Sequence, residues 1–328
     1  MKRPLLTLIG SGALVCAGLL LPWQGLAGAS PMSPGAVPVQ TPSVPCAIES
    51  APVLGATHAL FSSSPIFDGE AGIPERLSAV TRLGQDLTRD QISLLYAFLE
   101  SLPGPQERNL AALNLLKNDI ASRLQDQIQP PAGLAATLIE VYRNPAQDPV
   151  ARDYALQHLI TWHEQGAADA PDAKARIQVV LRQAAEENTS SAGTALLGLH
   201  RLNTGERHTT LLAEGAINDE AISQAALRMV ASADLPCASR ITAIQVCAER
   251  EVAQALPAIQ TLAQAEGSTA LRISAIAALG WLGGPEQAAL LQRLETEPNQ
   301  ALKPALQGAL RRLQARLLKN PAITQNSL

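Results

Sequence analysis

Three residue classes in this chain could do chemistry: histidines, cysteines and a set of arginines recurring at similar positions. The five histidines are His58, His158, His163, His200 and His208. His158 and His163 stand five residues apart on one predicted helix, so their rings point in different directions and do not converge on a metal. The expectation is a surface or interface role, with Trp162-His163-Glu164 as a local polar cluster at the helix end. The chain holds no H-E-x-x-H, no Cys-x-x-Cys, no Gly-rich phosphate loop and no acidic calcium loop. Covalent haem needs C-x-x-C-H, which is missing too. No catalytic, cofactor-binding or metal-binding set is therefore predicted, and the chain is read as a non-enzyme without a cofactor.

The cysteines are Cys16, Cys46, Cys237 and Cys247. Cys16 follows Ala13-Leu14-Val15, a bulky residue where lipidation favours a small one. Pro236 places Cys237 near a helix start, and Cys247 ten residues on then lies ~15 Å away, too far to bridge. Two readings stay open: a disulfide between Cys46 and Cys237 in an oxidising compartment, or reduced cysteines packed as small hydrophobes. Arg152, Arg240 and Arg272 have two readings as well. They form either a ladder that meets a partner or an internal ladder satisfying carbonyls and acidic groups between neighbouring helices. Asn188-Thr189-Ser190 matches a glycosylation sequon, which matters only in a host that glycosylates exported proteins.

These residues need elements to position them, and composition says the elements are helices. Apolar residues make up 47% of the chain but aromatics only 3%, so the core is built from Leu, Ala, Ile and Val amid abundant Gln and Arg. Ala, Leu, Gln and Arg lose little freedom in a helix. The net charge of −4 becomes −6 without Lys2 and Arg3, which leaves no basic stripe to track phosphates. Nucleic acid is excluded as a partner on that ground.

The N-terminus reads as an export signal. Lys2 and Arg3 precede an apolar stretch from Leu5 to Leu21, then Pro22 and the small-residue site Ala27-Gly28-Ala29. Cleavage after Ala29 predicts a periplasmic or secreted protein; an uncleaved segment would make it membrane-anchored. Pro31, Pro34, Pro38, Pro42, Pro45, Pro52 and Pro65 then interrupt the chain. A continuous helix cannot form there, and an extended tether is expected.

Beyond it the sequence repeats. Arg240-Ile241-Thr242-Ala243-Ile244 returns as Arg272-Ile273-Ser274-Ala275-Ile276, and Ala305-Leu306 opens a similar helix. Arg152-Asp153-Tyr154-Ala155-Leu156 and Thr194-Ala195-Leu196-Leu197 fit the same frame. In the clearest unit, from Ser268 to about Glu297, Ile273, Ile276, Leu279 and Leu282 form one apolar stripe. Gly283-Gly284 is expected to end that helix in the left-handed conformation, and Pro285 to open the next. Val252 to Glu266 reads as a second-type helix with Leu256, Ile259, Leu262 and Ala263 inward. Thr88 is expected to cap a helix through Leu99. Further helices are expected from about Gln106 to Gln127 and from Pro131 to near Asn144. The pattern degrades between Thr204 and Pro236, where a helix near Glu220–Ala233 fits either position of a pair.

The Arg272-Ile273 to Leu282-Gly283 segment and the Asp148-Pro149-Val150 opening resemble the HEAT-repeat family, in particular its short repeats named after phycobilisome lyases. The resemblance implies an all-α, right-handed α-solenoid of helix pairs; the signal peptide and Pro-rich linker read from the residues lie ahead of it. The predicted organisation is a signal peptide over 1–29, a linker over 30–66, and degenerate repeats or a cap over 67–146. A HEAT-like solenoid follows over 147–318, and a tail over 319–328. It further implies a scaffold whose surface binds a protein or peptide of unknown identity. The alternatives are a lyase-like or chromophore-handling enzyme on the same fold, or a spacer in an envelope complex.

Overall fold

The computed structural model describes residues 61–104, 109–165, 171–206 and 218–319. The chain divides into two units, Met1–Ser63 and Ser64–Leu328. The second is described below; the export signal, Cys46 and the C-terminal tail lie outside the described residues. Packed chain begins slightly before the end of the expected linker, because Ile66 is fully buried.

Among the described residues there are thirteen α-helices and no strand. They are α1 (Ile73–Thr81), α2 (Arg89–Glu100), α3 (Leu110–Gln125), α4 (Leu134–Arg143), α5 (Pro149–Gln165), α6 (Pro171–Glu186) and α7 (Ser191–Glu206). Then follow α8 (Asp219–Ala231), α9 (Cys237–Glu249), α10 (Leu256–Gln264), α11 (Thr269–Leu282), α12 (Pro285–Glu295) and α13 (Lys303–Lys319). The local signals that start them are legible. Thr88 accepts from the Gln91 amide while the Gln91 side chain accepts from the Thr88 amide, a reciprocal capping box. Asn109, Asn218 and Ser268 cap α3, α8 and α11 in the same sense.

The helices stack in two rows. The odd-numbered helices pack each on the next, α1 on α3 and so on to α11 on α13. The even-numbered helices cover one side of that row, and the tightest pairs across it are α4 with α5, α6 with α7, α8 with α9 and α10 with α11. This is an α-solenoid. It settles the ambiguous helix: α8 lies on α9 and belongs to the covering row.

The rows explain two differences from expectation. A helix of the first row is flanked on both sides and covered on a third, so its buried residues spread round the barrel. In α11 they are Ala275, Ile276, Ala278, Leu279 and Gly280 rather than one stripe, with Ile273 and Leu282 only half-buried. Second, Gly283 is extended, at φ −66° and ψ 165°, not left-handed. Glycine stands there for space: a Cβ would lie 2.5 Å from the Leu279 carbonyl oxygen and 2.6 Å from Gln287 Cβ. The segment beginning at Val252 likewise opens as a 3₁₀ turn, Ala253–Ala255, before α10.

Candidate interaction face and the polar groups beneath it

The recurring arginines are internal. Arg152, Arg240 and Arg272 are each the fourth residue of a first-row helix. Each donates to the penultimate carbonyl of the covering helix before it: Tyr142 at 2.7 Å, Val230 at 3.2 Å and Ala263 at 3.1 Å. A helix leaves its last carbonyls without internal partners, so the guanidinium acts as a remote C-cap. Arg272 also reaches Glu297 at 2.8 Å, and Arg152 approaches Glu187 at 3.9 Å, tying in the covering helix that follows. Arg76 stands at the fourth position of α1 and gives both Nε and Nη2 to the Ile66 carbonyl.

Lys117 does the same work without a signal in the sequence. Its ammonium is buried and donates to the carbonyls of Leu99 (3.0 Å) and Ser101 and to Gln147 Oε1 (2.9 Å). Burial lowers its pKa to about 8. A lysine inside an apolar helix pattern looks like a solvated residue; only the chain folding back from positions 99 and 147 reveals its partners.

The histidines correct the expectation of a surface role. His158, His163 and His200 are all buried. His158 Nδ1 meets Gln125 Oε1 at 2.8 Å while the Gln125 amide donates to the His158 carbonyl at 2.7 Å, and Nε2 meets Asn118 at 3.1 Å. Burial lowers its pKa to about 4, so the ring is neutral. His163 accepts from Gln178 at 3.2 Å, and burial, with help from Lys174, also lowers its pKa to about 4. Nor do Trp162, His163 and Glu164 form a cluster. Glu164 pairs with Arg201 of α7 at 2.6 Å, and the Trp162 Nε1 proton has no acceptor. These rings are buried because the first row has neighbours on three sides.

Where the repeat pattern degrades, Arg250 holds three helices together. Its side chain is 6% exposed and donates to Ser223 Oγ (3.3 Å), His200 Nδ1 (3.2 Å), Asn203 Oδ1 (3.4 Å) and both the carbonyl and carboxylate of Asp219. A guanidinium only donates, so His200 Nδ1 accepts and Nε2 carries the proton given to Glu249 Oε2 at 2.6 Å. Burial pushes the Glu249 carboxyl up, but hydrogen bonds from His200 and Gln245 outweigh it and leave the pKa lowered. Glu251 follows at φ 54°, a conformation that costs a non-glycine residue roughly 1–2 kcal/mol. Beside it is a polar recess of about 140 Å³ lined by Glu220, Ser223, Gln224, Arg250, Glu251 and Gln254.

One side of the first row stays open. On α7 the residues left partly exposed between Ser191 and Thr204 are Thr194, Leu197, Arg201 and Thr204, one stripe at helical spacing. On α9 the stripe is Ala238, Thr242, Gln245 and Glu249, and on α11 it is Ala270, Ser274, Ala277 and Trp281. Because α7, α9 and α11 pack side by side, the stripes adjoin as one strip of small, mostly uncharged side chains. Trp281 is its large member, 39% exposed, with the Arg312 guanidinium 5.5 Å from its ring centre.

Cys237 is an exposed free thiol, 3.2 Å from Ser268 Oγ, and shares α9 with Cys247 as expected. Its pairing with Cys46 falls outside the described residues. Cys247 is buried, and burial pushes its thiol up to about 12, as for an inert core cysteine. Asn188 of the sequon is exposed. Among the described residues no group of histidine, cysteine and carboxylate side chains is placed to hold a metal, and no helix is long and apolar enough to cross a membrane.

Comparison with known proteins bears on fold more than on chemistry. No protein of curated function matches the sequence. Among solved structures, human deoxyhypusine hydroxylase in complex with glycerol is similar at 15% identity and a TM-score of 0.32, over 79% of this chain and 96% of that one. That neighbour is an enzyme, which corrects the expectation that this chain is not one: catalysis is no longer excluded. A family model described as HEAT repeats matches residues 225–311, from within α8 to within α13. Over that span the chain carries HEAT repeats, within an all-helical solenoid.

Proposed function

We propose that the chain is an exported helical-repeat scaffold that binds a protein or peptide partner along the open strip of α7, α9 and α11. HEAT repeats support a protein-interaction role. The observation that carries the reading is Trp281, an aromatic side chain 39% exposed at the end of a mostly uncharged strip. Tryptophan, tyrosine and arginine are the residues that most often anchor interfaces: the aromatic rings desolvate a large area at little entropic cost, and the planar guanidinium adds directed hydrogen bonds. Trp281 and Arg312 stand together, and the small Ala270, Ser274 and Ala277 of α11 leave room for a partner's backbone to approach.

The test is photo-crosslinking in intact cells from a probe at Ala277 or Gln245, followed by mass spectrometry. A specific protein partner is expected, and Trp281→Ala weakens its binding by roughly 30-fold, the scale of a ~2 kcal/mol hot spot. A discrete partner crosslinked only from α4 or α6, with Trp281→Ala binding normally, would move the site to the covering row. Export rests on the layout of residues 1–29. A mature chain beginning at Ser30 in the periplasmic or secreted fraction supports it; a cytoplasmic chain with Met1 intact ends it.

A further inference from the structure

The two ends of the stack carry opposite charge. The last helix, α13, has Lys303, Arg311, Arg312, Arg316 and Lys319, and residues 298–319 hold no acidic side chain at all. Arg316 is engaged by the Gly283 carbonyl and Arg312 lies over Trp281, while Arg311, Arg312 and Lys319 are exposed. At the other end, the exposed side chains of residues 64–104 include Asp68, Glu70, Glu75, Asp86, Asp90 and Glu100. Of the three arginines there, Arg76 is buried against Ile66, which leaves Arg82 and Arg89 as the exposed cations. In a chain of net charge −4, the final helix carries five basic residues and no acidic one, whereas residues 64–104 expose six carboxylates against two guanidiniums.

A solenoid needs polar ends, because a bare apolar end would aggregate. Polarity alone is met by mixed charge and does not call for one sign at each end. Opposite signs on the two terminal surfaces do something more: each end repels its own kind and attracts the other. We propose that these ends mediate head-to-tail association of the chain with a second copy of itself, the α13 surface of one molecule meeting the α1–α2 surface of the next. The contact goes beyond the binding strip, with which it shares only Arg312, and the test substitutes Arg311 and Lys319 and leaves Arg312 in place. It is heterologous, so it does not close at a dimer: association goes on with concentration to an open filament, or to a ring where the rotation between copies closes. It is also weak and sensitive to salt, because exposed ion pairs gain little and are screened over about 10 Å at 0.1 M.

Sedimentation velocity on the purified chain tests this over a protein concentration series at about 0.01 M and about 1 M salt, where screening lengths are about 30 Å and 3 Å. The expected result is a sedimentation coefficient that climbs with concentration past that of a dimer, at low salt only. Two charge-reversed variants sharpen it: Arg311→Glu with Lys319→Glu at the basic end, and Glu70→Lys with Asp86→Lys at the acidic end. All four side chains are exposed, and matching circular dichroism melts establish that the variants fold. The first variant takes the charge of α13 from +5 to +1 and the second takes the exposed charge of residues 64–104 from −4 to 0, so each alone loses most of the attraction between its ends and stays monomeric. Mixed, the intact basic end of one meets the intact acidic end of the other, and association returns. A monomer at low salt, association that persists in either variant alone, or a mixture that fails to associate would each overturn the proposal. So would a monomeric chain that floats with phosphatidylglycerol vesicles and loses that property on Arg311→Glu with Lys319→Glu, which would assign the basic helix to a membrane surface.

Discussion

His158 shows what a buried titratable group does to a stack of this kind. Its folded pKa of about 4 lies below the ordinary 6.5. Between those values the unfolded chain binds the proton that the folded chain refuses, so stability rises with pH across that window. The contribution is complete above about 6.5 and is lost as pH falls towards 4. A shift of that size is worth on the order of 3 kcal/mol. His163 adds a loss of the same sign from the other side of α5. Urea unfolding between pH 7 and pH 4 should therefore show a steep fall, and His158→Gln should remove roughly half of the slope. A variant with the parent slope would mean that the ring is not buried as described. Lys117 acts in the alkaline window. Its pKa of about 8, against an ordinary 10.5, means that burying the charged form costs stability at neutral pH. That cost is relieved as pH rises from 8 towards 10.5. The chain should gain stability there relative to Lys117→Met, which has no such proton to lose.

Helices are joined into a stack by the arginine caps, and those can be ranked. Arg272 bonds both Ala263 O and Glu297, whereas Arg240 bonds Val230 O alone and leaves its buried Nε without a partner. Removing a guanidinium strands a buried carbonyl, at about 1–3 kcal/mol. Arg272→Met should thus lower the urea midpoint more than Arg240→Met; the reverse order would show that the carbonyl bonds are not what holds the rows together. The same contrast marks what the sequence could disclose about elements. Thr88, Ser268 and Pro285 start helices through groups three residues away or nearer, and the Arg-Ile openings recur thirty-two residues apart, so cap positions and the repeat were readable. The repetition marked Arg152, Arg240 and Arg272 as a ladder but left open whether they meet a partner or the carbonyls between helices; the structure gives them the carbonyls. What could not be read depends on helices that arrive from elsewhere. Lys117 acquires its acceptors from residues 99, 101 and 147, His200 acquires Glu249 and Arg250 from the end of α9, and Gly280 is small because Ala309 of α13 crowds it. The open strip is legible only once α7, α9 and α11 are known to lie side by side.

For the whole molecule, the decisive property is that each helix touches only its neighbours in the two rows. Stability in such a stack is a chain of local interfaces, not one shared core. Gly280 offers a way to see this. Its position on α11 lies so close to α13 that a Cβ would sit 2.8 Å from Ala309 Cα and 3.0 Å from the Ala309 carbonyl oxygen. Both atoms are backbone, so Gly280→Ala must push the two helices apart, at roughly 1–3 kcal/mol. In a protein with a single cooperative core that loss would speed exchange of all the slowest amides equally. In a one-dimensional stack it stays local. Amides of α10, α11, α12 and α13 should exchange ~5–100-fold faster at that cost, while those of α3, α4 and α5 keep their parent rates. Hydrogen exchange read by mass spectrometry on the full chain resolves the two cases. Uniform acceleration from α3 to α13 would show that the rows fold as one unit; a response that fades along the row would show that the solenoid can loosen at its C-terminal end. Trp281 and the other strip residues of α11 would then loosen without disturbing the stripes of α7 and α9.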